Sequence, residues 1–267
     1  MKTLIVGGGN MGKSFAQSFL DAHILRSSDL RILEKNESNC AELEKMGFAA
    51  VHRVPDNYIK DTELIILAVK PQDSAAVFAV LKPYLNEDHV ILSIMAGVKL
   101  ETMAEGLGIK KIIRSMPNLP AQVGMGMTAF TAKDEVGRKE LISVQNLLST
   151  TGKAIYFDDE RMIDAATAVS GSGPAFVYYF MNSMMKAAKQ MGFTESQADV
   201  LVWQTFIGSI HLQNKNNLSC EDWIAKVSSK GGTTEAALKI FEACDLEKGI
   251  VQGLEGAFKR AIELGDS

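Results

Sequence analysis

Along the first half of the chain, short apolar runs return at intervals that leave room for one helix between them. Thr3–Val6, Leu30–Leu33, 64–69, 90–94, 111–114, 127–130 and 154–156 read as strands. Segments 11–20, 38–46 and Ser74–Leu81 read as helices between several of them. Strand, helix, strand at this interval predicts a parallel sheet with crossover helices. Residues 64–69 are apolar throughout, as a strand covered on both faces should be. From about Glu160 the period lengthens to that of helices: 160–169, a break at "SGSGP" (170–174), then 175–191 closed by Gly192. Helices 195–213, Cys220–Val227, 234–243 and 247–264 follow, with Thr194 and Ser219 as N-caps and Pro174 at a first helical position. The pattern predicts an α/β domain with a mostly parallel sheet over 1–159 and an all-α domain over 160–267.

The helix 175–191 has too many apolar faces for a surface helix. Phe176, Val177, Tyr178, Tyr179, Phe180, Met181, Met184, Met185 and Met191 cover most of its circumference. A helix of that kind must be buried nearly all round, and so short a helical domain has trouble supplying the cover alone. Burial against a second subunit is the expected solution. A ligand groove lined by the methionines is the second reading. The glycines and serines of "SGSGP" read either as a flexible loop or as a loop that faces a site.

The first strand runs directly into Gly7-Gly8-Gly9-Asn10-Met11-Gly12, which fits G-x-G-x-x-G. Following a strand and opening a helix, this is the context that a dinucleotide-binding Rossmann turn requires. Gly7 allows the turn, Gly9 lets a pyrophosphate approach, and Gly12 allows helix and strand to pack closely. The helix N-terminus adds unpaired N–H groups and a positive dipole end. After the second strand comes Glu34-Lys35-Asn36. An acidic residue there suits the ribose hydroxyls of NAD, and a basic one suits the extra phosphate of NADP. The chain offers both, side by side. Two further strand ends, "LAVKPQ" with Ala68, Val69, Lys70 and Pro71, and "SIMAGV" with Ala96 and Gly97, lie where ligands of open α/β sheets bind. Pro71 and Gly97 also read as a strand break and a turn.

Composition removes several classes of function. The net charge is −4, from 28 Lys+Arg against 32 Asp+Glu, and the charges are dispersed. Without a basic stripe, nucleic acid and anionic membranes are not expected partners. Cys40, Cys220 and Cys244 show neither zinc spacing nor a disulfide pattern, which suits reduced thiols in the cytoplasm. His23, His52, His89 and His211 are scattered, so no metal is expected. The N-terminal apolar run is too short for a signal peptide, and no run approaches a membrane span.

One stretch stays unexplained by these readings. "VSSKGGTTEAAL" (227–238) sets two glycines among hydroxyl residues just before a helix, where one hydroxyl at Thr233 or Thr234 would suffice as a cap. Together with "GGGNMG", "LAVKPQ", "SIMAGV", "IRSMPNLPA" (113–121) and "AVSGSGPAFVYYF" (168–180), its order and spacing resemble the Δ1-pyrroline-5-carboxylate reductase family over nearly the whole chain. The resemblance implies reduction of a cyclic imine to L-proline with NADPH, or NADH. It also implies a Rossmann domain followed by a helical domain that interlocks into dimers, often grouped into decamers. It places the cofactor on Gly7–Gly12, Glu34, Lys35, Ala68, Val69, Lys70, Pro71, Ala96, Gly97, Met116 and Pro117. The substrate carboxylate falls on Ser229, Gly231, Gly232, Thr233 and Thr234, with the Thr234 hydroxyl at the ring nitrogen and Glu160 on the substrate side. The chain departs from the family at Lys230, commonly proline, and at Leu119, often threonine.

Two rival readings accompany this one. A β-hydroxyacid dehydrogenase would need a lysine acid/base on a long helix, for which Lys186 and Lys189 qualify, but it leaves 227–238 unexplained. A nicotinamide-binding protein without turnover would have no need of Thr233 and Thr234.

Overall fold

The structure is a computed structural model that describes residues 1–265. The chain divides into two compact units, Met1–Pro174 with the segment from Ala257, and Ala175–Gly256.

The first unit is built on an eight-stranded sheet in the order β3-β2-β1-β4-β5-β6-β7-β8. The strands are β1 (Thr3–Val6), β2 (Leu30–Leu33), β3 (Val51–His52), β4 (Leu64–Leu67), β5 (Val90–Ser93), β6 (Ile112–Met116), β7 (Gly126–Ala132) and β8 (Gly152–Tyr156). All neighbours are parallel except β6 and β7. Crossovers run through α1 (Asn10–Asp21), α2 (Glu37–Lys45), α3 (Ser74–Leu81), α4 (Leu100–Leu107) and α5 (Arg138–Ser149). Because side chains alternate along a strand, consecutive apolar residues feed different cores. Ile5, Ile66 and Leu92 join Phe15 and Phe19 of α1 and Leu147 of α5 on one face. Leu4, Ile65 and Ile91 join Phe78 of α3 and Met103 of α4 on the other. The four residues of β4 have no exposed surface, which is why that stretch carries no polar position.

Two local differences from the sequence reading have clear causes. β4 ends at Leu67 and β5 at Ser93, so Ala68 to Lys70 and Ala96–Gly97 leave the sheet as loops, and Pro71 opens a short 3₁₀ helix, Pro71–Asp73. The expected break at 170–174 is a helical joint instead. α6 (Arg161–Ala166) passes through a π turn, Thr167–Gly171, into α7 (Gly173–Gln190). Tertiary contacts supply what the wider turn requires. Ser170 Oγ donates to the Ala166 carbonyl at 2.9 Å, and Asn118 Nδ2 donates to the Ser170 carbonyl at 3.0 Å. With partners for its carbonyls, a glycine- and serine-rich stretch has no need to unwind.

Gly97 is a position that only glycine fills. It has φ +76, and an added Cβ would stand 3.0 Å from the carbonyl oxygen of Leu264 in α11 (Leu246–Gly265). Gly97→Ala is expected to cost at least about 1 kcal/mol from the left-handed backbone alone, read as a lower urea midpoint. An unchanged midpoint would remove the steric argument.

The second unit holds most of α7, then α8 (Glu195–Asn214), α9 (Cys220–Val227), α10 (Thr233–Ala243) and the start of α11. α7, α9 and α10 bury no residue, and α8 buries Ala198 and Val202. Tyr179 is 72% exposed on α7 although the helix is apolar. Among the described residues no helix is long and apolar enough to cross a membrane.

Candidate active site

The glycine turn is tight on its strand side and open on the other. Gly7 has φ +106, and a Cβ there would meet the Ala68 carbonyl oxygen at 2.6 Å. A Cβ on Gly12 would lie 2.0 Å from the Gly7 carbonyl oxygen, so α1 sits directly on the turn. At Gly9 a Cβ would meet nothing within 4 Å. Gly9 is also the N-cap of α1 and supplies no side-chain cap. The first N–H groups of α1, beginning at Asn10 and Met11, therefore point toward open space at a positive helix end, which suits a pyrophosphate. The turn lies at the carboxyl end of β1, between β2 and β4, where the strand order reverses. These residues fit a dinucleotide.

Other positions singled out from the sequence line up along the same edge. Lys35 follows β2, Ala68 to Pro71 follow β4, Ala96 and Gly97 follow β5, and Met116 and Pro117 end β6. Ser115 Oγ donates to the Ser93 carbonyl at 2.8 Å, tying the ends of β5 and β6 together. Glu34 is present at this edge but turned inward, with 7% exposure. Its Oε2 accepts from Gly8 N at 2.7 Å and from Asn39 Nδ2 at 3.3 Å, and its Oε1 accepts from Asn36 N at 2.7 Å. The carboxylate thus holds the glycine turn against the start of α2.

Glu160 has an equally specific setting. Its Oε1 accepts from Leu100 N, the first residue of α4, at 2.8 Å and from Arg114 Nη1 at 2.9 Å. Arg114 is 1% exposed in β6, and its Nη2 donates to Asp164 Oδ1 of α6. One buried guanidinium therefore fixes α6 to the sheet, which is why this first helix belongs to the sheet unit.

The stretch 228–235 lies in the second unit and has its own order. Gly231 has φ +74, and Gly232 is the N-cap of α10, with its N–H donating to the Ser229 carbonyl at 2.9 Å. A Cβ on Gly232 would strike Ser229 Oγ at 2.6 Å. The helix starts at Thr233, so neither threonine is its cap, contrary to the simplest reading of the sequence. Both hydroxyls stand in the first turn, Thr234 half-buried and Thr233 exposed. Glu235 Oε2 accepts from Gly231 N, and this bond, followed by Lys239, holds the Glu235 carboxyl below its usual range. One N–H of the loop, that of Gly231, thus already meets a carboxylate. By contrast, a cavity of about 290 Å³ beside β7 and the π turn is lined by Met127, Phe157, Met162 and Val169 among others. The Ser170 hydroxyl on that wall is already spent on Ala166, so the cavity offers no donor to an anionic substrate.

Comparison with known proteins joins these two regions in one family. Residues 160–264 match the family model described as pyrroline-5-carboxylate reductase dimerisation. Residues 2–97 match the model described as NADP oxidoreductase coenzyme F420-dependent. A pyrroline-5-carboxylate reductase of Aquifex aeolicus is 35% identical over 99% of this chain and 97% of its own. The chain belongs to the pyrroline-5-carboxylate reductase family. Among solved structures, the pyrroline-5-carboxylate reductase of Coxiella burnetii superposes with a TM-score of 0.89 at 29% identity, covering 100% of this chain and 99% of that one. Pyrroline carboxylate reductase of Plasmodium falciparum, solved with NADP bound, gives 0.88 at 26% identity, covering 99% and 98%. In this reductase chain the dimerisation match spans Glu160, Asp164, the π turn and the loop 228–235.

Several residues of these regions escaped the sequence reading. Arg114, Asp164 and Asn118 act through partners about fifty positions away, and Glu235 looked like an ordinary first-turn acid. The one available signal was Arg114, an arginine following two isoleucines inside a strand.

Proposed function

We infer that the chain reduces Δ1-pyrroline-5-carboxylate to L-proline with a hydride from NADPH, NADH being the alternative donor. The observation that carries this reading is the presence in one family member of an open glycine cradle and a glycine–threonine loop whose hydroxyls cap nothing. When bound, the nicotinamide cofactor supplies the hydride that reduces the imine carbon. The chain supplies position and polarity. Backbone N–H groups of Gly231 and Thr233, with the Ser229 hydroxyl, hold the substrate carboxylate, for which the Glu235 carboxylate gives way at Gly231, while Gly232 keeps its N–H on the Ser229 carbonyl and shapes the loop. The Thr234 hydroxyl donates to the ring nitrogen, either directly or through a water. An imine is basic enough near neutral pH that a hydroxyl suffices, and no lysine or histidine is required as an acid.

Loss of cofactor absorbance with pyrroline-5-carboxylate, against 3-hydroxy acids as controls, tests the reading. Turnover of the imine alone is expected. Turnover of a 3-hydroxy acid would favour the dehydrogenase reading, and cofactor binding without any turnover would sink the enzymatic one.

The working form proposed is a cytoplasmic homodimer that groups further into decamers. Apolar α7 is exposed in the single chain, and the family to which the chain belongs has its dimerisation segment there. Light scattering is expected to give at least twice the chain mass. Tyr179→Glu, which would bury a charge in that contact, is expected to shift the protein toward monomer at micromolar concentration. A native protein that sediments as an active monomer would overturn this assignment.

A further inference from the structure

The joint between α6 and α7 runs into a proline at a place where it removes a donor. In helical register the Ser170 carbonyl would accept from the N–H four residues on, and residue 174 is proline, which has none. The missing donor comes from a distant loop. Asn118 Nδ2 donates to the Ser170 carbonyl at 3.0 Å, and Asn118 Oδ1 accepts from Met127 N at 2.9 Å. A backbone N–H can donate only to the amide oxygen, so the Met127 bond turns the amide nitrogen toward Ser170. Asn118 is also the N-cap of a short 3₁₀ helix, Leu119–Val123, yet its side chain makes no cap bond there. Asparagine in that position commonly does. Here both ends of the amide are committed to β7 and to the joint instead.

This clamp lies on the side of the sheet edge where the cofactor reacts. The strand order reverses at β1, so a dinucleotide with its pyrophosphate on the glycine turn lays its adenosine toward β2 and its nicotinamide toward β4, β5 and β6. Met116 ends β6, and a Cβ added to Gly171 would stand 2.7 Å from Met116 Cε, so the joint rests directly on that side chain. Within the joint, Ser172 N donates to the Thr167 carbonyl at 2.8 Å and Ser170 Oγ to the Ala166 carbonyl at 2.9 Å. Among the described residues, the Asn118 bond is the one hydrogen bond that ties the joint to the sheet unit's loops and strands.

We propose that Asn118 is a positioning residue for hydride transfer, holding the joint opened by Pro174 against Met116 and so fixing the wall beside the reacting end of the cofactor. This rests on the reading of the chain as a reductase. Reacting atoms must meet at about 3–3.5 Å, and a misplacement of about 1 Å caused from a distance can cost about a hundredfold in rate. The clamp needs one acceptor and one donor, which a neutral amide supplies and a carboxylate does not.

Single-turnover hydride transfer from bound NADPH to pyrroline-5-carboxylate, followed by stopped flow, tests the clamp on the full chain. Asn118→Ala is expected to slow that step by about ten- to a hundredfold, with cofactor Kd within about twofold of native. Asn118→Asp keeps the acceptor for Met127 N but sets a carboxylate oxygen against the Ser170 carbonyl. Relative to native at each pH, its rate should match Asn118→Ala at pH 8 and recover as pH falls to 5, because the protonated carboxyl donates again. Pro174→Ala returns a backbone donor to Ser170, and in that background Asn118→Ala should slow the step by less than about threefold. A native rate in Asn118→Ala, even with a lowered melting temperature, would leave the clamp a structural bond and overturn the proposal. A relative rate of Asn118→Asp that stays flat with pH would overturn it too. Hydrogen exchange keeps this test apart from the reductase reading: amides of Ser170 to Gly173 should exchange at least about tenfold faster in Asn118→Ala than in the native chain, with or without turnover. Unchanged exchange would remove the clamp itself, whereas a native chain that leaves the imine untouched would sink the reductase reading and the hydride-transfer role with it.

Discussion

Thr234→Val is expected to lower kcat/KM for the imine by roughly ten- to a thousandfold, the range for one donor lost at a reacting centre. Valine keeps the shape of threonine and removes only the hydroxyl. The loss should fall mainly on kcat, because a hydrogen bond that strengthens as the ring nitrogen becomes an amine acts on the transition state more than on bound substrate. The structure sharpens this expectation. α10 begins at Thr233 with Gly232 as its N-cap, so the Thr234 hydroxyl is not consumed in starting the helix. Its removal should therefore leave stability almost unchanged. Cofactor affinity should also hold, since the Gly7–Gly12 turn belongs to the other compact unit. Thr233→Val serves as the comparison and should cost less, because that residue contributes chiefly its backbone N–H. Were Thr233→Val the more damaging, the catalytic hydroxyl would be one residue earlier. Full activity in both variants would leave the pair with no part in the chemistry.

Asp164→Ala is expected to destabilise the protein by about 3–5 kcal/mol, the cost of stripping one partner from a buried ion pair. Arg114 is 1% exposed and is met by Asp164 on one nitrogen and Glu160 on another, so the variant strips the acceptor from a buried Nη2 and leaves the partly exposed Glu160 as the one remaining counter-ion. Against a total stability of about 5–15 kcal/mol, this is a large fraction. Urea unfolding should show it as a clear fall in midpoint. Glu160→Gln should cost less, because Glu160 is 30% exposed and glutamine still accepts from Leu100 N. The same variant tests whether Glu160 is a substrate residue. An anchor loses stability with KM for the imine unchanged, whereas a substrate ligand loses KM with stability intact. A native-like midpoint for Asp164→Ala would mean that the Arg114 charge is not desolvated as the geometry requires.

Much of this molecule was legible before any tertiary contact was considered. Strands β1 and β2 and helices α3 and α9 coincide with the stretches their hydrophobic period predicts. Most other elements differ only by a few terminal residues. Period, capping and turn residues are local properties, and the glycine turn after β1 is read from spacing because its constraints are steric and local. The two-residue strand β3 was missed because so short a run has no period to detect, and the helices α4 and α5 were not singled out from the sequence. The joint at 167–171 was misread because serine and glycine favour breaks by themselves, and Asn118 holds the helix closed from a distant loop.

The chain alone thus determined the element types, the order of the two halves and the residues able to carry chemistry. Where the charges point was decided only by the tertiary structure. Glu34 belongs to the glycine turn because Gly8, 26 residues away, offers its N–H there, and Glu160 belongs to Arg114, 46 residues away. A carboxylate leaving water takes whichever donors the packed fold brings within reach, and no local pattern in the sequence encodes that choice.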